Sequence, residues 1–251
     1  MSEPLTVTRI AHSCHLIQIG GATILTDPWF SERAFYHPGE PVSHRPETLP
    51  HLDAVLISHE HYDHCDLKAF RRYRDRHVPM IVADPVEATA RKAGFTDVRP
   101  LKPWQAARVG DITIHAAPGE HGVQEVTYVI EGGGRSVYFA GDTLLVPELL
   151  TLTERYGPLD LALLPINGLI LRTDHDRQVV MNAEDAAELT AALRPGLVVP
   201  QHYAFTGGPI GDRLFLRSDK DPERFVDAVH RRTPGQPVEI IEPGVPLVVA
   251  A

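Results

Sequence analysis

Apolar residues that alternate, or run together over four to eight positions, divide the chain into short strands. Such runs fall at 5–10, 15–19, 22–26, 53–57 and 79–82, repeatedly between 97 and 140, and at 160–165, 197–201, 238–241 and 246–249. Helical spacing predicts helices over about 66–75, 85–93, 146–154, 182–193 and 221–231, with Asp66 capping the first. The 22 prolines and 19 glycines lie mainly between these elements. This order fits an α/β protein with two mixed sheets flanked by helices. With no repeat and no low-complexity linker, 251 residues read as a single domain, 1–251.

The polar residues at strand ends carry the chemistry. After the apolar run Asp53 to Ile57 come Ser58-His59-Glu60-His61-Tyr62-Asp63-His64-Cys65-Asp66, three histidines and several carboxylates in nine residues. Imidazole nitrogen and carboxylate oxygen are the usual ligands of borderline first-row metals. His59 and His61, two apart in an extended segment, point the same way, whereas Asp63 and His64 sit where the chain turns and can face a second ion. Further candidates end later strands. His121 follows the alternating run Asp111 to Ala117 and the turn Pro118-Gly119; Asp142 follows Ser136 to Gly141; His202 follows Leu197 to Gln201. Each has an ordinary reading alone, as surface histidine, helix cap or core histidine, but the ordered set is hard to explain that way.

In this order, H-x-H-x-D-H, His, Gly-Asp, His, the chain resembles the metallo-β-lactamase superfamily over nearly its whole length. The resemblance implies an αββα metallo-β-lactamase sandwich. It implies His59, His61 and His121 at one metal, Asp63, His64 and His202 at a second, and Asp142 as the bridge. True β-lactamases usually place a cysteine where this chain has Asp142, so antibiotic hydrolysis is not expected. Ala11 to Leu16, Ile24 to Trp29, Leu163 to Gly168, Met181 to Ala186, Pro200 to Tyr203 and Asp221 to Phe225 are similar to the branch containing L-ascorbate-6-phosphate lactonase and, more distantly, phospholipase D enzymes acting on N-acyl-phosphatidylethanolamine. The segments 169–180 and 204–220 depart from the lactonase pattern.

Around the ligands, a histidine's other nitrogen usually needs a partner, and Asp27 is the expected one. His12, Asn167 and Tyr203 are expected to face substrate, with Asn182 a weaker candidate; His175 reads as a solvated loop residue. Asp63 and Asp142 are the expected catalytic carboxylates. Two divalent ions per chain, zinc first and manganese or iron as alternatives, would supply a hydroxide as nucleophile. The expected activity is hydrolysis of a lactone, ester or phosphodiester in a small soluble metabolite. The alternatives are a redox or oxygen-using iron enzyme of the same fold, a phospholipase D-like lipid phosphodiesterase, and a non-catalytic scaffold, which the complete ligand set disfavours.

A net charge of −9 opposes binding of nucleic acid. The basic run Arg71 to His77 reads as a solvated helix face rather than a phosphate patch. No apolar run reaches the roughly 18 residues of a membrane helix. Neither Phe30 to Tyr36 nor Leu214 to Leu216 is long enough to predict a lipid-binding surface. Met1-Ser2-Glu3-Pro4 lacks a signal-peptide pattern, and Cys14 with Cys65 offers no disulfide framework. A cytoplasmic enzyme with a small-molecule substrate, no nucleic-acid or membrane partner, and a possible homo-oligomeric state is the expectation.

Overall fold

The computed structural model describes residues 4–250; Met1-Ser2-Glu3, read above for a leader, lies outside them. In chain order the elements are β1 (Leu5–Ala11), β2 (Cys14–Ile19), β3 (Ala22–Thr26), β4 (Ala54–Ile57), α1 (Leu67–Phe70), β5 (Met80–Ala83), α2 (Val86–Lys92), β6 (Val98–Leu101), β7 (Ala106–Val109), β8 (Ile112–Pro118), β9 (Val126–Gly132) and β10 (Arg135–Phe139). A 3-10 turn over Pro147–Thr151 leads into α3 (Leu152–Tyr156). Then follow β11 (Leu161–Pro165), β12 (Ile170–Leu171), β13 (Arg177–Gln178), α4 (Ala183–Leu193), β14 (Leu197–Gln201), α5 (Gly208–Leu214), β15 (Leu216–Arg217), α6 (Glu223–Arg232) and β16 (Pro246–Val249).

Two mixed sheets dominate, a seven-stranded one ordered β16-β1-β2-β3-β4-β5-β6 and a six-stranded one ordered β14-β11-β10-β9-β8-β7. In the first, β3 to β6 run parallel; in the second, β10, β11 and β14 do. The period-two alternation of side chains explains the layering. Val137 and Phe139 of β10, with Leu161 and Leu163 of β11, meet Val7, Ile17 and Val55 between the sheets. Tyr138, Ala162 and Leu164, pointing the other way, pack beneath Leu189, Leu193, Phe225 and Val229 of α4 and α6.

Local chemistry sets several boundaries. Asn182 accepts from the Glu184 and Asp185 amides while Asp185 accepts from the Asn182 amide, a reciprocal cap that starts α4. Asp66 caps α1, but that helix ends at Phe70 rather than continuing to 75. The Arg72 and Tyr73 amides bond three residues back, and the Tyr73 hydroxyl is tied to Pro50 and Leu52, which draws the chain out of helical path. Residues 238–241 do not form the expected strand: Val238 makes one isolated bridge to Val198, and Pro237 and Pro243 remove donors on either side. A small third sheet, β13-β12-β15, and α5 are additional to the expected elements. Leu171 of β12 and Leu216 of β15 join Trp29, Val180 and Phe205 in a satellite apolar cluster over one end of the sandwich.

Candidate metal centre

Strand ends from both sheets meet at that end. β4 runs into Ser58 and the loop His59 to Asp66; β3 ends at Asp27; the β1–β2 turn carries His12. From the second sheet come His121 beyond β8, Asp142 beyond β10 and His202 after β14. His12, Asp27 and His202 hold left-handed backbone, with φ of 55°, 29° and 64°. Such conformations cost energy in residues other than glycine and persist where surrounding structure enforces them. Here they turn the side chains inward from the strand ends.

Two groups of ligand atoms result. In the first, His61 Nδ1 lies 3.0 Å from both His59 Nε2 and His121 Nε2. Three imidazole nitrogens that close, each ring able to donate from one nitrogen when neutral, do not satisfy one another; they fit a shared cation. Two of the opposite nitrogens are engaged: His121 Nδ1 with the Val179 carbonyl at 2.6 Å, and His59 Nδ1 with Ser58 Oγ at 2.9 Å. In the second group, His12, Asp63, His64 and His202 each bring one donor atom within 4.8 Å of the others. His12 Nε2 is 3.3 Å from His64 Nε2 and 3.4 Å from Asp63 Oδ2. Buried Asp63 Oδ1 and Asp142 Oδ1 have no hydrogen-bond partner. These orphaned carboxylate oxygens beside histidine nitrogens are the donor set a divalent metal takes, so the residues fit such an ion in both places.

Asp142 spans the groups. Its Oδ2 lies 3.0 Å from His64 Nε2, 2.8 Å from His202 Nε2 and 4.0 Å from His121 Nε2. The His202 contact is close but off-axis for a hydrogen bond, since that nitrogen counts among the unpartnered atoms. Asp27 is the partner expected of it in position: Oδ2 holds His64 Nδ1 at 2.6 Å and accepts from Ser58 Oγ at 2.7 Å, while Oδ1 accepts from the Ser58 amide at 2.7 Å.

Burial keeps three of these histidines neutral. Burial, then the neighbouring imidazole His202, lowers His12 to about 3. Burial with His64 does the same for His59, and burial with His59 for His61, both about 3. His64 goes the other way: burial opposes its charge, but Asp142, Asp63 and Asp27 outweigh it and hold its pKa well above the ordinary value. Burial likewise pushes Asp142 up, yet His202 and His64 overcome this and keep it well below the usual range. Cys65, whose thiol burial raises to about 12, stays protonated and is no ligand at neutral pH.

Glu125 escaped the sequence reading. Fully buried, it accepts the Asp142 amide on Oε1 at 2.7 Å and sits 3.4 Å from His59 Nδ1. Burial, with Asp142 adding to it against the pull of His121, raises its pKa to about 8. The available signal was a lone glutamate at the head of the apolar strand β9, four residues after His121. Gly141 makes room for it: a Cβ there would collide with Glu125 Oε1 and lie 2.9 Å from Ser58 Cβ.

The expected substrate residues lie elsewhere. A cavity of about 380 Å³ opens over the centre, reached by His61, Asp63, His121 and Asp142, and none of His12, Asn167 and Tyr203 lines it. His12 is wholly buried among the ligand candidates, stacked on His202 at 3.9 Å between ring centroids. Tyr203 is buried under the Arg9 guanidinium, 4.7 Å from the ring centre. Asn167, with Asn182, borders a separate surface depression, because its strand β11 ends on the far side of the small sheet. His175 lies in the exposed turn before β13, as expected, and Arg72 of the basic run pairs with Glu47 at 3.0 Å on the surface. Among the described residues no helix is long and apolar enough to cross a membrane.

Comparison with known proteins gives a consistent picture. A family model described as a β-lactamase superfamily domain matches residues 22–203. A UPF0173 metal-dependent hydrolase of Thermococcus onnurineus is 31% identical over 242 residues, covering 90% of this chain and 92% of the relative. Igni18, a metallo hydrolase of Ignicoccus hospitalis, superposes with a TM-score of 0.77 at 25% identity, covering 99% of this chain and 100% of its own. CmlA, a diiron β-hydroxylase of Streptomyces venezuelae, superposes with a TM-score of 0.78 over 99% of this chain and 55% of its own; at 23% identity that likeness shows the fold alone.

Proposed function

Because the chain belongs to the metallo-β-lactamase superfamily, we propose that it is a metal-dependent hydrolase holding two divalent cations and cleaving an ester, lactone or phosphodiester bond of a small molecule. The observation that carries this reading is Asp142 Oδ2 lying within 4.0 Å of histidines from both ligand groups. His59, His61 and His121 would hold one ion, Asp63, His64 and His202 the other, with zinc the first choice and manganese or iron the alternatives. When bound, such a pair lowers the pKa of water toward neutrality and stabilises negative charge on the attacked group.

The chain's own residues prepare the site. Asp27 holds a proton of His64 on Nδ1, so Nε2 is the nitrogen that would give up its proton to a bound cation. The Val179 carbonyl does the same for His121. Glu125 fixes the backbone of Asp142. Asp63, whose Oδ1 has no partner, is the carboxylate placed to accept a proton at the cavity floor. The lactonase-like expectation is one member of this set.

The test is hydrolysis of a panel of esters, lactones and phosphodiesters by purified protein. Activity removed by a chelator and restored by zinc or manganese supports the reading. Turnover that survives complete removal of metal refutes it.

A further inference from the structure

The cavity over the centre is walled by two segments that the sequence treats as unrelated. Leu169, Leu171 and Val179 come from the stretch around β12 and β13, and Phe205, Phe215 and Leu216 from the stretch around α5 and β15. Antiparallel pairing of β12 with both β13 and β15 joins them over the ligand groups. Phe35 closes the mouth against Phe215 in an edge-to-face contact, ring centroids 5.5 Å apart. Gly211 leaves space for that ring, since a Cβ there would meet Phe35 Cδ1 at 3.1 Å.

The wall is almost wholly apolar. Among the described residues its one cation apart from the ligand histidines is Arg177, a half-exposed side chain paired with Asp174 at 2.6 Å. A substrate with its own phosphate, away from the reacting bond, would meet among the described lining residues only this arginine, already shared with Asp174, and would lose hydration with little replacement. An aliphatic or aromatic group would exchange water for Leu169, Val179 and Phe205. The apolar character continues outward: Ile210 and Leu214 are 63% and 54% exposed on α5, while Phe35 is 43% exposed. At about 380 Å³ the chamber lies near the small end of ligand sites, enough for a medium-length chain or one ring system.

We infer that the substrate is a neutral carboxylic ester or lactone whose apolar acyl or aryl body fills this chamber while the carbonyl faces Asp63 and Asp142. The inference rests on the hydrolase reading above and narrows it, setting aside phosphorylated metabolites. In the reaction the ester C–O bond breaks and water supplies OH to the acyl carbon and H to the leaving oxygen, so no further reactant is needed.

The experiment has a kinetic arm and a binding arm. Zinc- or manganese-loaded protein is assayed with p-nitrophenyl acetate, butyrate and octanoate, with δ-valerolactone and δ-decalactone, with a sugar-phosphate lactone, and with ester lipid in phosphatidylcholine vesicles. Each methylene that enters the chamber should raise kcat/KM about fourfold until it is full. In Leu171→Glu that preference should fall by roughly tenfold or more, because the new charge sits in the apolar wall. Phe215→Ala, at the half-exposed mouth, should weaken the preference too and covers failure of the first variant to fold. Separately, octan-1-ol should bind wild-type protein in a calorimetric titration where ethanol does not, and bind Leu171→Glu more weakly. If octan-1-ol binds in this way but no ester, lactone or phosphodiester is cleaved, the hydrolase reading falls and the apolar chamber stands. If the panel is cleaved but acetate or the sugar-phosphate lactone outruns the long-chain compounds, or octan-1-ol fails to bind, the chamber inference is overturned and the hydrolase reading survives. Strong preference for vesicle lipid over every soluble ester would also overturn it as a soluble-substrate site.

Discussion

Asp27→Asn isolates the role of one buried carboxylate. Asp27 faces three polar hydrogens, those of the Ser58 amide, the Ser58 hydroxyl and His64 Nδ1, with distances of 2.7, 2.7 and 2.6 Å. An asparagine of the same shape has one oxygen where the aspartate has two. If that oxygen keeps the Ser58 amide, the NH2 group faces His64 Nδ1, which must then become an acceptor. The proton moves to Nε2, the nitrogen that points at Asp142 and His12. A protonated Nε2 cannot ligate a metal. If the amide flips instead, a buried Ser58 N–H is orphaned at a cost of about 1–3 kcal/mol. The first arrangement, which leaves no buried amide unpaired, should prevail, and metal affinity at the Asp63–His64–His202 group should drop roughly 10- to 100-fold, equivalent to about 1.4–2.7 kcal/mol. Competition of zinc-loaded protein against a chromophoric chelator measures this, with circular dichroism as the check on folding. Wild-type affinity in a folded Asp27→Asn protein would refute the tautomer argument.

Three further outcomes follow from the same geometry. Asp142→Ala should keep its fold, lose at least one bound ion and lower turnover about 100-fold or more; wild-type turnover would remove Asp142 from the bridging position. Gly141→Ala adds a Cβ at φ 58° against Glu125 and Ser58, and should cost about 1–3 kcal/mol of stability, so an unchanged melting temperature would contradict the packing described. In metal-free protein, His12, His59 and His61 are held near 3 against an ordinary 6.5. The unfolded chain therefore binds protons first, and stability present above pH 6.5 is lost as pH falls from 6.5 toward 3. His64, whose pKa is raised, acts in the opposite sense and loses its contribution as pH rises. Glu125, raised to about 8, acts with His64, and buried His15, lowered to about 3 by burial and then Arg9, acts with the other three; with two groups against four, the melting temperature of metal-free protein should fall between pH 7 and 5, and a rise would show that the histidines are not held neutral.

The large elements and the ligand candidates were legible because both follow short-range rules. The run expected as a strand over 53–57 forms β4 from Ala54 to Ile57, and the histidine-rich loop begins at its end. His121, Asp142 and His202 each end or follow an apolar strand, so a ligand search along strand ends finds them. What escaped depends on contacts distant in sequence. β12, β13 and β15 have two residues each, too few for any periodicity, and exist only by pairing with one another. The stretches 30–36 and 214–216 look too short for an apolar surface taken singly, yet Phe35 and Phe215 meet across 180 residues. Glu125 carries no motif; its burial and its bond to the Asp142 amide decide its role. His12 and Tyr203 were expected at the substrate because they follow or end strands. A left-handed turn sends the first inward, and stacking on Arg9 occupies the second.

The most direct test of the dinuclear account is an anomalous difference map at the zinc absorption edge from crystals of the zinc-loaded protein. The account predicts two peaks, one enclosed by His59, His61 and His121 and one by Asp63, His64 and His202, with Asp142 between them. A single peak at full loading, or zinc bound away from Asp142, would contradict it.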